Sequence, residues 1–273
     1  MNRIDRLFKK LKKERKKAFI VYITAGYPSL RATERLIPEL EKSGVDLIEL
    51  GIPFSDPLAD GPTIQKSSAH AISRGANIKS ILRIVRSARK KTSLPLVFMT
   101  YYNLVSHYGV KRFVRESKSA GADGIIIPDL PPEEAKELIA VSKKAGFATI
   151  FLAAPTSTTR RLKDISIKSK GFIYYVSLTG VTGARNKLPQ DILGNVRRLK
   201  RITKKPVCVG FGVSEPAQAK KIARLADGVI VGSAVIKIIE KNLGKKDLYK
   251  KVSGFVKSLA KAVHGGNKVK TRK

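Results

Sequence analysis

Residues 43–61 read Ser-Gly-Val-Asp-Leu-Ile-Glu-Leu-Gly-Ile-Pro-Phe-Ser-Asp-Pro-Leu-Ala-Asp-Gly. The opening Ser43-Gly44-Val45-Asp46 is a junction that recurs as Ala120-Gly121-Ala122-Asp123 and, more loosely, as Lys144-Ala145-Gly146-Phe147. At each junction a glycine can close a helix in the left-handed conformation before the chain turns into a strand. The apolar run that follows, 46–50, is too short for a helix and is bounded by turn residues, so it reads as a buried strand. A helix that stops at a glycine and passes straight into a buried strand is the joint of an α/β fold.

Working outward, the same alternation covers the chain. Strands are expected at 18–24, 46–50, 94–100, 124–127, 147–152, 171–176, 206–209 and 227–231. Helices are expected at 30–43, 63–73, 79–91, 110–120, 159–168 and 191–201, and again from 234 to about 263. One more helix should open after Pro131-Pro132 with Glu133 and Glu134 in its first turn, where the helix dipole favours acids. Another should start at Ser214 as N-cap, with Pro216 in its first turn. Eight short strands separated by helices describe a single (β/α)8 TIM barrel, with a doubly wound open sheet as the alternative architecture. No Pro- or Ser-rich linker breaks the pattern, so residues 1–264 read as one domain.

Two acids in the quoted stretch carry chemistry. Glu49 lies inside the apolar strand, where an unpaired carboxylate is expensive. Asp60 closes the Pro-rich loop eleven residues later, beside Gly61. Barrel enzymes deliver acid–base groups to a pocket by this pairing of a strand-end residue with the loop after it. The plainer alternative is a buried acid held by backbone N–H groups, together with an ordinary Asp-Gly turn.

The chain has 273 residues, 55 Lys and Arg against 21 Asp and Glu, and a formal net charge of +34. Residues 1–17 are dense in basic residues, with Ile4, Leu7, Phe8 and Leu11 at helical spacing. They form an extra N-terminal helix whose apolar stripe packs on the body of the protein. Residues 265–273 form a short, Gly-led basic tail that is expected to fray. The other basic residues are spread over nearly every helix, without basic-aromatic interleaving or zinc-finger spacing. Contact with nucleic acid is therefore expected to be nonspecific and salt-sensitive. The single cysteine, Cys208, sits in an apolar run and reads as a core filler in a reducing compartment. There is no apolar stretch near twenty residues, no signal-peptide core and no transit-peptide composition, so the expected location is cytoplasmic.

Glycine-containing loops follow the last three strands: Gly180-Val-Thr-Gly183-Ala-Arg185, Gly210-Phe-Gly212-Val-Ser214 and Gly232-Ser233. In a barrel these strand ends are neighbours, so backbone N–H groups and a helix N-terminus converge on one place suited to a phosphate. Any one of the loops could be no more than a tight turn. Neither the third glycine of a dinucleotide fingerprint nor P-loop spacing is present. The loop 177–189 is long and glycine-hinged, as lids are. His70, His107 and His264 have no partner at metal-ligand spacing, so no metal site is expected. No strand end carries a lysine. A carbon–carbon lyase with neither a Schiff-base lysine nor a metal must take its electron sink from the substrate.

The segment 49–61, Gly26, the Tyr101-Tyr102-Asn103 run, the 180–185 loop and the turns at 210–212 and 232–233 together resemble the tryptophan synthase alpha chain family. The resemblance runs from about residue 19 to residue 240. It implies a lyase that cleaves indole-3-glycerol phosphate to indole and glyceraldehyde 3-phosphate, with the protonated indole ring as the missing sink. It implies that Glu49 is the acid–base group and that Asp60 accepts the indole N–H. Tyr22, Met99, Ile126, Tyr174 and Phe211 would line the indole pocket, and Thr182 would close over it. Gly183, Gly212, Gly232 and Ser233 would hold the phosphate. It further implies a beta-chain partner carrying pyridoxal phosphate, in an alpha2beta2 heterotetramer, with Pro53, Asp56 and Asn103 facing that partner. The alpha chain itself would need no cofactor. The strongly basic ends and surface depart from the family's usual picture.

Overall fold

The computed structural model describes residues 1–176, 191–210 and 212–265. The barrel strands are β1 (Ala18–Thr24), β2 (Leu47–Gly51), β3 (Leu96–Met99), β4 (Gly124–Ile126), β5 (Ala148–Ile150), β6 (Leu152–Ala153), β7 (Ile173–Val176), β8 (Val207–Gly210) and β9 (Gly228–Val231). All pairings are parallel, in the order β5-β4-β3-β2-β1-β9-β8-β7-β6. The two ends of that order, β5 and β6, are separated only by Phe151. They are halves of one barrel strand, which pairs with β4 before the break and with β7 after it. The Phe151 carbonyl accepts the Tyr174 N–H at 3.1 Å, and the Thr149 carbonyl accepts the Lys170 N–H at 2.9 Å. The ring is thus closed with eight strand positions, and the single strand expected at 147–152 is broken at Phe151.

The helices are α1 (Arg3–Lys13), α2 (Leu30–Lys42), α3 (Pro62–Ser73), α4 (Ile78–Ala88), α5 (Tyr102–Tyr108) and α6 (Val110–Ala120). They continue with α7 (Lys136–Ala145), α8 (Thr159–Lys168), α9 (Asp191–Ile202), α10 (Pro216–Ala223), α11 (Ser233–Lys241) and α12 (Leu248–His264). Gly44, Gly121 and Gly146 adopt φ of +91°, +104° and +61°, as the junction motif requires. Three expectations need correction. Glu133 and Glu134 lie in a turn ahead of α7, which starts only at Lys136. The N-cap of α10 is Glu215, because the Gln218 carboxamide oxygen takes both the Ser214 and the Glu215 N–H groups, at 2.9 and 3.3 Å. The helical sequence after β9 is two helices, and α5 was not foreseen.

Strand alternation sorts the side chains into two cores. Ile48, Leu50, Phe98 and Val209 face the helices. Ile20, Leu47, Val97, Ile150, Cys208 and Ile230 fill the barrel interior. Cys208 is buried there, as the core-filler reading requires. The same interior cluster includes Ile4, Phe8 and Leu11 of α1, which plugs the N-terminal end of the barrel. With that end filled, the open space of the barrel lies at the C-terminal ends of the strands.

Candidate active site

Period-two alternation decides where Glu49 points. Leu47 belongs to the barrel interior, and two residues on, Glu49 must share that face. Its side chain is fully buried, and neither carboxyl oxygen has a hydrogen-bond partner among the described residues. Among the described residues, then, no backbone N–H group holds this carboxylate. Burial without a partner penalises the charged form and pushes the Glu49 carboxyl up to about 8. Glu49 can thus carry a proton near neutrality and exchange it, which an ordinary surface glutamate cannot do.

Asp60 approaches from the loop between β2 and α3. Burial raises its carboxyl, while a hydrogen bond from the Tyr101 hydroxyl works in the opposite direction. The same Tyr101 oxygen accepts the Ala59 N–H at 3.0 Å, so one phenol fixes both the loop and its acid. Tyr101 in turn stacks on Phe54, with ring centroids 5.4 Å apart. The Tyr101-Tyr102-Asn103 run gives no sign of this role in the sequence, because the contact that fixes it spans 42 residues.

Two tyrosines stand beside Glu49. Tyr22 is its register partner on β1, and Tyr174 lies on β7. Both are buried, which raises both phenols, and both lie within electrostatic reach of Glu49 and Asp60. Glycines make room for the rings. A Cβ on Gly51 would meet the Tyr22 hydroxyl at 2.2 Å, and one on Gly210 would meet that of Tyr174 at 2.3 Å. Met99 and Ile126 end β3 and β4 on the same interior face.

Gly232 is the N-cap of α11 and Ser233 its first residue, so free backbone N–H groups sit at the mouth of the barrel. Gly212 is exposed just after β8. Thr182, Gly183 and Phe211 lie outside the described residues, as does the 177–189 loop. Of the three residues expected to face a partner, Asp56 and Asn103 are exposed, on the loop after β2 and the first turn of α5, whereas Pro53 is buried. Among the described residues, no three His, Cys, Asp or Glu side chains group as a metal site. His264 pairs with Asp46 at 2.8 Å and His70 meets the Pro28 carbonyl at 3.1 Å, which accounts for two of the three histidines structurally.

The tryptophan synthase alpha chain profile matches residues 8–264. The chain belongs to the tryptophan synthase alpha chain family. It is 50% identical over 259 residues to the tryptophan synthase alpha chain of Geotalea daltonii, covering 95% of this chain and 98% of that one. It is 49% identical over 259 residues to that of Caldanaerobacter subterraneus, with the same coverage. A crystal structure of tryptophan synthase subunit alpha from Legionella pneumophila superposes with a TM-score of 0.90 at 41% identity, over 96% of this chain and 98% of that one. A structure of Mycobacterium tuberculosis tryptophan synthase gives 0.89 at 38% identity, with the same coverage. The alpha chains of this family are lyases that act on indole-3-glycerol phosphate without a cofactor of their own, pyridoxal phosphate being in the beta chain. The TIM barrel is their fold.

Proposed function

We propose that this chain cleaves indole-3-glycerol phosphate with Glu49 as the acid–base group and Asp60 as the anchor for the indole N–H. Protonated Glu49 delivers its proton to C3 of the indole ring, giving an indoleninium cation. The bond from C3 to the side chain then breaks, and its electron pair restores the neutral ring. The side-chain hydroxyl returns its proton to the Glu49 carboxylate as its oxygen becomes the aldehyde carbonyl. Glu49 gives one proton and receives one, so the turnover balances without another acid. Asp60 stabilises the charge that develops on the ring nitrogen. The observation that carries this reading is the isolation of Glu49: a buried carboxyl with no partner among the described residues, held close to neutrality, is suited to both donating and accepting.

Tyr22, Met99, Ile126 and Tyr174 form the walls for the ring, with Phe211 added on sequence grounds. Gly212, Gly232 and Ser233 receive the phosphate, and Gly183 and Thr182 complete that corner and the lid on the strength of the sequence. Residues 1–264 act as one domain in this reading. Indole passes to a beta chain in an alpha2beta2 assembly, with Asp56, Asn103 and the Pro53 loop on the facing surface. Among the described residues no helix is long and apolar enough to cross a membrane, which suits a cytoplasmic location.

The test is indole release from indole-3-glycerol phosphate by the purified chain, with and without the beta chain from the same source. Slow release that rises strongly with the beta chain is expected. Fast release without it would make the chain a free-standing lyase, and no release in either case would refute the assignment.

A further inference from the structure

The pocket wall contains a chain of hydroxyl groups to which the mechanism above gives no task. Ser67, buried on α3, donates its proton to the Ile64 carbonyl at 2.8 Å. Its Oγ lies 2.6 Å from Oγ1 of Thr24, the last residue of β1. The Thr24 oxygen lies 3.4 Å from the Tyr22 hydroxyl. A hydroxyl has a single proton, and a carbonyl can only accept. With the Ser67 proton committed to Ile64, Thr24 must donate to Ser67. With the Thr24 proton committed in turn, Tyr22 must donate to Thr24. One carbonyl thus sets the direction of the whole series.

The far end of that series lies on the strand face that carries the acid. The Tyr22 oxygen sits over Gly51, on the face of β2 that also carries Glu49, and Tyr22 is the register partner of Glu49. We infer that Thr24 and Ser67 are positioning residues, turning the Tyr22 hydroxyl so that its lone pairs, rather than its proton, face the Glu49 carboxyl. The inference rests on the reading of Glu49 as the acid–base group and adds the device that keeps it loaded. Oxygen lone pairs turned toward a carboxyl repel the carboxylate through space, so the protonated state needed to attack C3 is favoured. The other groups around Glu49 are Tyr174 on β7, Cys208 on β8 and Asp60 on the loop before α3. None of them belongs to the hydroxyl series.

The experiment is a titration of the Glu49 carboxyl by carbon-13 NMR in the full chain labelled at glutamate, with the signal assigned by its loss in Glu49→Gln. Thr24→Val removes the link and frees the Tyr22 proton to turn toward Glu49. The midpoint is expected to fall by about half a unit to one pH unit. Thr24→Ser keeps the hydroxyl and restores the wild-type titration. Tyr22→Phe removes the lone pairs along with the proton, so its midpoint falls by less than that of Thr24→Val, and adding Thr24→Val to it changes nothing further. Ser67→Ala breaks the series at its other end and lowers the midpoint like Thr24→Val, which gives a second route if one variant folds poorly. An unmoved midpoint in both Thr24→Val and Ser67→Ala, or an equal fall in the Tyr22→Phe background, would overturn the proposal. The titration needs no turnover, so a chain without lyase activity would refute the proposed function and leave this test intact.

Discussion

Asp123 and Leu96 hold each other twice: the aspartate N–H donates to the Leu96 carbonyl at 2.8 Å, and its Oδ2 accepts the Leu96 N–H at 3.1 Å. Asp46 does the same with Phe19, and Asp227 with Val207. Each aspartate stands at the start of one strand and ties down the start of its neighbour, so the junction motif sets strand register as well as helix termination. Each also holds basic side chains: Arg3 and Arg89 on Asp123, the His264 ring on Asp46, Lys17 and Lys200 on Asp227.

The three sites differ in burial, and their substitutions should differ accordingly. Asp123 is 1% exposed and Arg89 nearly buried, so Asp123→Ala leaves a guanidinium without its partner in the interior. Removing one member of a buried pair costs about 3–5 kcal/mol. Asp46→Ala loses a partly exposed pair and one strand-start hydrogen bond, a loss of about 1–2 kcal/mol. Urea unfolding at neutral pH should show Asp123→Ala with much the lower midpoint at unchanged slope. Equal midpoints would mean that burial does not rank these pairs.

The architecture was legible because its signals are local. Gly44 and Gly121 announce helix ends by themselves, and the short apolar runs between them suit no other fold as well. Glu49 was legible because an acid in such a run has few explanations. What escaped notice depends on distant contacts or on patterns too short to have a period. Helix α5 has seven residues, a single buried side chain in Val105 and no capping side chain at Tyr101. The roles of Tyr101 and Ser67 come from partners about forty residues away. Ser214 looked like an N-cap because the residue type is right, but Gln218 recruits its N–H from four positions on.

Glu49 makes stability depend on pH in a defined direction. Its folded-state carboxyl lies at about 8, against the ordinary 4.5. Between those values the folded chain binds this proton and the unfolded chain does not, so stability falls as pH rises. The slope from this one group approaches about 1.4 kcal/mol per pH unit in the middle of the window. Glu49→Gln, which cannot ionise, should therefore gain stability relative to wild type as pH moves from 5 to 7.5, while indole release falls about 100-fold or more. Parallel stability profiles for the two proteins would mean that Glu49 is not buried alone, and near-normal turnover would remove it as the acid.

Gly51 is expected to tolerate no side chain. An added Cβ would lie 2.2 Å from the Tyr22 hydroxyl and 2.5 Å from its ring, and neither strand can back away without breaking barrel pairing. Gly51→Ala should destabilise by about 1–3 kcal/mol through overpacking and push the Tyr22 ring into the substrate space. Tyr22→Phe cannot relieve this, because ring carbons are also in the way, whereas Tyr22→Leu can. Thermal unfolding should show the Gly51→Ala, Tyr22→Leu double variant more stable than the sum of the single changes allows. Additive losses would show that the two residues do not share the space.

Tyr101 offers the clearest separation of positioning from chemistry. Its hydroxyl donates to Asp60 and accepts from Ala59, so Tyr101→Phe releases both the acid and the loop that carries it. Burial already raises the Asp60 carboxyl, and the Tyr101 hydrogen bond is what lowers it again. Without that bond Asp60 holds its proton to higher pH, and a protonated Asp60 accepts the indole N–H more weakly and cannot balance charge on the ring. The acid limb of the kcat/KM profile should therefore move to higher pH, and activity at neutrality should fall about tenfold. Asp60→Asn removes the titration altogether, so its acid limb should not respond to Tyr101→Phe. If Tyr101→Phe lowered activity equally at all pH values, Tyr101 would be holding the loop in place without tuning its acid.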